Sequence, residues 1–304
     1  MGNKIKTSGA AGNLLAQFDK LYRHNRQGSF KTKERYSEAM KRFCVFVAKR
    51  YKLQKLANIS EKHFIAYVED MKERDLAAST IKTELSAIRF WHDKISDAKH
   101  KLPENNELDL QRRSFGNIDR AWSQREYNYM ITLCWQHGRE DYAACIVLAR
   151  YAALRIHECF RIDTAIAERA IRNGEIIIKG KGGKVRTVPI NESIKIELEK
   201  MLKLTQRGHK LFVPDGVDTH KAIKKLQQFI IDHREQIKDP DSDRPMTFHG
   251  LRHLCAAEWY QSLITAGYSE DTAMKQISKW LGHERKDVTR IYLASLPRLE
   301  GGHV

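Results

Sequence analysis

The chain has 304 residues, 41% of them hydrophobic and 30% charged, and carries a net charge of +16. That length suits two domains with cores of their own, and this balance excludes a globally disordered chain. No run of about 18 apolar residues occurs, which excludes a conventional membrane-spanning helix. The opening Met1-Gly-Asn-Lys-Ile-Lys6 has neither the apolar core of a secretory signal nor the Ser or Thr at position 6 of a myristoylation motif. The five cysteines, Cys44, Cys134, Cys145, Cys159 and Cys255, are odd in number and lack C-x-x-C spacing. With mostly apolar neighbours, they are expected as reduced core residues of a cytosolic protein. Residues 1–113 hold 24 basic and 14 acidic side chains, so both halves are basic and the first more densely. Basic charge distributed in this way implies a polyanion as partner; a merely solubilising surface is the plainer alternative.

Four helical patterns fill the first hundred residues. Leu14, Leu15, Phe18, Leu21 and Tyr22 share one apolar face, and Tyr36, Met40, Phe43, Val47 and Ala48 share another. Ser60 can cap a third helix containing Phe64, Val68 and Met71. Ser79 or Thr80 can open a fourth containing Ile81, Leu85, Ile88 and Trp91. The outer faces are basic, with Lys31, Lys33, Arg35, Lys41 and Arg42. Lys82 and Arg89, seven apart on the fourth helix, share a face and are expected at phosphates unless that face is simply solvated. Around Pro103 the text turns polar and aperiodic. The expected organisation is an all-helical domain over 1–102, a linker over 103–119 and a second domain over 120–304.

In the second domain Ser123-Gln-Arg-Glu126 reads as a capping box. A largely apolar helix over 141–154 follows and ends at Arg155-Ile-His-Glu158. Arg155 either pairs with Glu158 one turn away or faces a phosphate with Glu158 orienting it. Two β-rich runs flank Gly180-Lys-Gly-Gly-Lys184, which predicts a hairpin with Lys181 at its tip and Lys184 beside it. The spacing of a nucleotide-binding phosphate loop is absent, and a strand rather than a helix follows. Helices are expected over 192–204 and 219–236, and another carries His249, Arg252 and His253. His249, His253 and Cys255 lack the spacing and the carboxylate of a metal site, so no metal is expected. A last helix over 271–281 ends at Gly282, and a short one is expected to carry Tyr292, which taken alone reads as a core residue.

Arg155, Lys181, His249-x-x-Arg252, His283 and Tyr292 occur in that order, within Ala-Leu-Arg-Ile-His-Glu158, a Gly-Lys-Gly hairpin followed by Val-Pro, His-Gly-Leu-Arg-His253 and Leu-Gly-His283. This constellation resembles the tyrosine recombinase (phage integrase) family, in its Xer-like two-domain form, across the whole second domain. The helical first domain is similar to that family's core-binding domain. The resemblance implies a mainly α fold with a small antiparallel sheet in the catalytic domain. It implies a site-specific recombinase that needs neither cofactor nor metal nor ATP. Tyr292 would attack the scissile phosphorus and remain on the 3′-phosphate. Arg155 and Arg252 would neutralise the non-bridging oxygens, Lys181 protonate the leaving 5′ oxygen, His249 take the tyrosine proton and His283 bond the phosphate, with Glu158 in support. Lys31, Lys33, Lys82, Arg89 and Lys184 are expected at the DNA. The implied partners are a specific double-stranded site held in a C-shaped clamp, four protomers on two duplexes that associate weakly or not at all without DNA, and an accessory directionality factor. The implied place is the cytoplasm, on the nucleoid when bound. The tail from Leu293 is expected to dock on a neighbouring protomer, or else to fold back in cis. Three other readings stay open: a type IB topoisomerase working alone, a non-catalytic DNA-binding protein, and a metal nuclease.

Overall fold

The structure, a computed structural model, describes residues 9–25, 30–111, 119–180, 183, 185–240, 242–282 and 292, with the side chains at 30 and 31 excepted. The chain divides into two units, Met1–Ser114 and Phe115–Val304. Lys31, Lys181, Lys184, His283 and the tail from Leu293 therefore lie outside the described residues or side chains.

The elements among the first unit's described residues are all helical: α1 (Ala10–His24), α2 (Phe30–Tyr51), a 3-10 turn (Leu56–Asn58), α3 (Glu61–Glu73) and α4 (Ala78–His92). The periodic apolar residues meet in one core, where Leu14, Phe18, Met40, Phe43, Val47, Phe64, Met71, Leu85 and Trp91 are buried. Phe18 meets Trp91 edge to face at 5.1 Å between centroids. Ser60 precedes α3, and its N–H donates to His63 Nδ1 over 3.0 Å. The start of α4 differs from expectation. Ala77 stands at its N-cap with no side-chain cap, and both Ser79 and Thr80 lie inside the helix. Leu102, Leu108 and Leu110 pack against this same core, so the early part of the expected linker lies against the first unit.

Two of the expected DNA contacts are engaged internally. Arg89 donates from Nε to the Pro103 carbonyl at 2.7 Å and from Nη1 to Asn105 Oδ1 at 3.0 Å. Its guanidinium also lies 5.0 Å from the Phe64 ring. Arg89 therefore anchors the chain after α4, where the polar turn at Pro103 supplies acceptors that solvent would otherwise supply. Lys33 donates to the Asn25 carbonyl at 2.6 Å and sits 4.2 Å over the Tyr22 ring, tying the end of α1 to α2. Lys82 is half-buried on α4.

The second unit contains α5 (Gln124–Gln136), α6 (Glu140–Ala152), α7 (Ile156–Cys159), α8 (Thr164–Asn173), β1 (Glu175–Lys179), β2 (Val185–Pro189), α9 (Glu192–Leu204), α10 (Thr219–Ile237), α11 (Phe248–Thr265) and α12 (Glu270–Leu281). The capping box forms as expected: Ser123 Oγ accepts from Glu126 N–H, and Glu126 Oε2 accepts from Ser123 N–H. Helix α6 is apolar nearly all round and occupies the centre, packed by α5, α9 and α11. Strands β1 and β2 form one antiparallel hairpin from Glu175↔Pro189 to Lys179↔Val185. Its inner face carries Ile176, Ile178, Arg186 and Val188, all buried, and α8 packs on β1. The sequence reading has no counterpart to α8, whose apolar stripe is short. All five cysteines are free and buried. Among the described residues no helix is long and apolar enough to cross a membrane.

Candidate active site

The site gathers at three helix ends. Helix α6 stops at Ala153, which takes the left-handed conformation at φ 49°. Glycine usually fills such a position, because a Cβ crowds the backbone there. The turn aims the Ala153 carbonyl at Arg252 and starts α7 with Arg155 at its N-cap. Helix α11 begins at Phe248, so His249 and Arg252 lie in its first turns. That start is fixed from behind, where Trp122 Nε1 donates to the Thr247 carbonyl over 2.8 Å. A Cβ at Gly250 would come within 2.3 Å of the Arg120 carbonyl oxygen and 2.6 Å of the Trp122 ring, so only glycine fits this crossing. Arg150 ties α6 to α11 through two 2.5 Å bonds to Glu258.

Arg252 is wholly buried. Its Nη1 donates to the Ala153 carbonyl and its Nη2 to the Leu281 carbonyl, so the guanidinium joins the ends of α6 and α12. One N–H on each terminal nitrogen is thereby committed to the fold. Burial and the charges of Arg155 and Arg186 push its pKa down to about 10, against the pull of Tyr292, so it remains a cation at neutral pH.

Tyr292 is buried against this group, its ring 5.4 Å from the Arg252 guanidinium and stacked on His253 at 4.3 Å. Its hydroxyl lies 3.1 Å from His249 Nε2. His249 is exposed at the surface, but its inner side is desolvated. That desolvation, with the charges of Arg252, Arg155 and Arg120, pushes its pKa down to about 4. The imidazole is therefore neutral at pH 7 and able to accept a proton from the hydroxyl it faces.

Arg155 is half-buried and pairs with Glu158: Nη1 donates to Glu158 Oε1 at 3.1 Å and its backbone N–H to Oε2 at 2.7 Å. Glu158 is also held by a residue that sequence reasoning misses. Arg186 donates from Nη1 to Oε1 at 2.7 Å and from Nη2 to Oε2 at 2.8 Å. Burial alone would raise the Glu158 carboxyl, but these donors outweigh it and hold the pKa near 2. The available signal was strand alternation, which sets Arg186 on the inward side with Val188. His253 likewise enters the site through its ring contacts, stacked on Tyr292 and edge-on to His249 at 5.2 Å. The structure thus brings Arg155, Glu158, His249, Arg252 and Tyr292 together, while Lys181 and His283 fall outside the described residues. Among the described residues, no group of three His, Cys, Asp or Glu gathers as metal ligands would.

Comparisons with known proteins bear on the family and the fold. The phage integrase family model matches residues 122–298, and the phage integrase N-terminal SAM-like domain matches residues 15–95. The chain is 22% identical to tyrosine recombinase XerD of Halalkalibacterium halodurans, over 92% of each chain. It is 21% identical to tyrosine recombinase XerC of Roseiflexus castenholzii, over 91% of this chain and 88% of that one. Among solved structures, the Tn1549 transposon integrase in complex with circular intermediate DNA superposes with a TM-score of 0.61 at 16% identity, covering 97% of this chain and 100% of that one. A lambda integrase tetramer bound to a Holliday junction gives 0.66 at 14% identity, over 94% and 78%. The chain belongs to the phage integrase family of tyrosine recombinases, enzymes that cleave and rejoin DNA strands through a phosphotyrosine intermediate.

Proposed function

We propose that Tyr292 is the nucleophile of a site-specific recombination reaction and His249 its base. The observation that carries this reading is the 3.1 Å contact between the tyrosine hydroxyl and a neutral, surface-facing imidazole, with a buried guanidinium beside the ring. The tyrosine oxygen bonds to phosphorus and the bond from phosphorus to the 5′ oxygen breaks. The phenolic proton passes to His249 Nε2, and Lys181 gives a proton to the departing oxygen. The product is a 3′-phosphotyrosine that keeps the energy of the phosphodiester, so a 5′-hydroxyl from another duplex can reseal it without ATP. Charge grows on the non-bridging oxygens as phosphorus is attacked. Arg155, steadied by Glu158, and Arg252 would meet that charge, and His283 would add a hydrogen bond.

The finer setting belongs to the same proposal. The substrate is a specific duplex site, contacted by basic groups that include Lys31, Lys82 and Lys184. Four protomers act on two duplexes, coupled by the tail from Leu293. The reaction serves integration and excision of a mobile element or resolution of DNA, with a directionality factor, in the cytoplasm at the nucleoid. The chain's net charge of +16 supports a polyanionic substrate. Nicked duplexes from the ends of the protein's own genetic element, incubated with protein in EDTA, test the chemistry. A protein–DNA adduct on denaturing gels is expected for the unmodified chain, and Tyr292→Phe should bind the same DNA without forming one. Sequence-specific binding with no adduct from the unmodified chain would favour a non-catalytic DNA-binding protein.

A further inference from the structure

Arg186 stands outside the set of residues that the reaction requires, yet it holds the carboxylate behind that set. It lies on the inner face of β2, nearly buried, and makes a two-pronged pair with Glu158 at 2.7 and 2.8 Å. Both Glu158 oxygens are shared, since Oε1 accepts from Arg155 Nη1 and Oε2 from Arg155 N–H. One buried carboxylate thus joins two guanidinium groups, one on a strand of the hairpin and one at the start of α7. The stem of Arg186 runs past Gly282, where an added Cβ would lie 3.1 Å from Arg186 Cδ. Gly282 ends α12 in the left-handed conformation, one residue before His283.

A two-pronged pair holds its partner in plane as well as in place. If Glu158 were held by Arg155 alone, the carboxylate could rotate and Arg155 could swing with it, because Arg155 is half-exposed and gives its side chain a single bond to that carboxylate. With Arg186 behind it, the carboxylate plane is fixed and so is the direction of the Arg155 fork. We propose that Arg186 is a positioning residue, which through Glu158 fixes the guanidinium of Arg155 for the scissile phosphate. The inference rests on the reading of Arg155 as a phosphate donor given above.

The test compares single-turnover adduct formation on two duplexes, one with an ordinary scissile phosphate and one with a neutral methylphosphonate in its place. The methylphosphonate lacks one charged oxygen and so has less need of a well-aimed Arg155. On phosphate DNA, Arg186→Met should slow cleavage by about 100-fold, the scale of a misplaced catalytic donor, with little change in DNA affinity. On methylphosphonate DNA the deficit should nearly vanish. Arg186→Lys keeps the charge but not the fork, and should fall between Arg186→Met and the unmodified chain. Arg186→Met combined with Glu158→Met removes the buried charges together, which avoids an unpaired carboxylate as a cause of misfolding, and should be no slower than Arg186→Met alone. Equal deficits on both duplexes would overturn the inference and make Arg186 a purely structural residue, as would full cleavage of phosphate DNA by Arg186→Met. Adduct formation by the unmodified chain, measured in the same series, reports on the recombination reading separately.

Discussion

At the scale of single residues, the site combines side chains that face outward with others that hold the fold. His249 is the clearest of the first kind. With a pKa near 4 it is already neutral at physiological pH, so cleavage should not require raising the pH to free the base. His249→Gln should lower single-turnover cleavage by about 10²-fold or more while sparing DNA binding, and loss of both together would contradict its role as base. Arg252 is of the second kind, wholly buried beside Tyr292. Removing it leaves the Ala153 and Leu281 carbonyls without their buried donor, which costs roughly 2–5 kcal/mol in addition to any catalytic loss. Arg252→Ala should therefore lower the thermal midpoint as well as the rate, and an unchanged midpoint would show that those two bonds do not hold the helix ends. The motif text made the identities of Arg155, His249, Arg252 and Tyr292 legible, because each sits in a short and ordered signature. It did not show that Arg252 is wholly buried or that Arg89 turns inward to Pro103, since both depend on which backbone carbonyls the fold brings near.

At the scale of elements, periodicity located most of the helices, and two β-rich runs flanking a glycine-rich turn located the hairpin. The misses have local causes. Helix α8 offers only Ile166, Ala167, Ala170 and Ile171 as an apolar stripe across ten residues. The turn after α6 lacks the glycine that usually marks a left-handed position, and Ala153 takes that conformation instead. Ala153→Val should therefore destabilise the chain by about 2 kcal/mol or more, because a β-branched residue is poorly tolerated at positive φ. Denaturant unfolding would measure this, and an unchanged free energy would argue against that backbone conformation. Gly250 makes the matching case on α11, where a methyl group would collide with the Arg120 carbonyl and the Trp122 ring. Gly250→Ala should cost about 1–3 kcal/mol and slow cleavage by shifting the turn that carries His249 and Arg252. A variant of normal stability and rate would refute this account of the crossing.

At the scale of the whole molecule, stability and chemistry meet in the buried carboxylate. Glu158 titrates near 2 in the folded chain, against an ordinary value of 4.5. Its contribution is thus complete above about pH 4.5 and is lost as pH falls through 2, a difference on the order of 3 kcal/mol. Glu158→Gln should flatten the acid limb of the stability profile between those values, and an unaltered limb would mean the carboxylate is not held as described. His249 acts in the same direction at higher pH. Its folded pKa lies below 6.5, so stability is greatest above 6.5 and declines as pH falls toward 4, moderated by its exposure to solvent.

The central claim is that Tyr292 becomes covalently joined to DNA. Its most direct test is to digest the trapped adduct with nuclease and trypsin and to sequence the modified peptide by mass spectrometry. Cleavage after Arg290 and Arg298 releases Ile291-Tyr-Leu-Ala-Ser-Leu-Pro-Arg298. That peptide should carry the nucleotide on Tyr292, with no modified peptide from Tyr292→Phe. A nucleotide on any other residue, or an adduct that survives in Tyr292→Phe, would contradict the account.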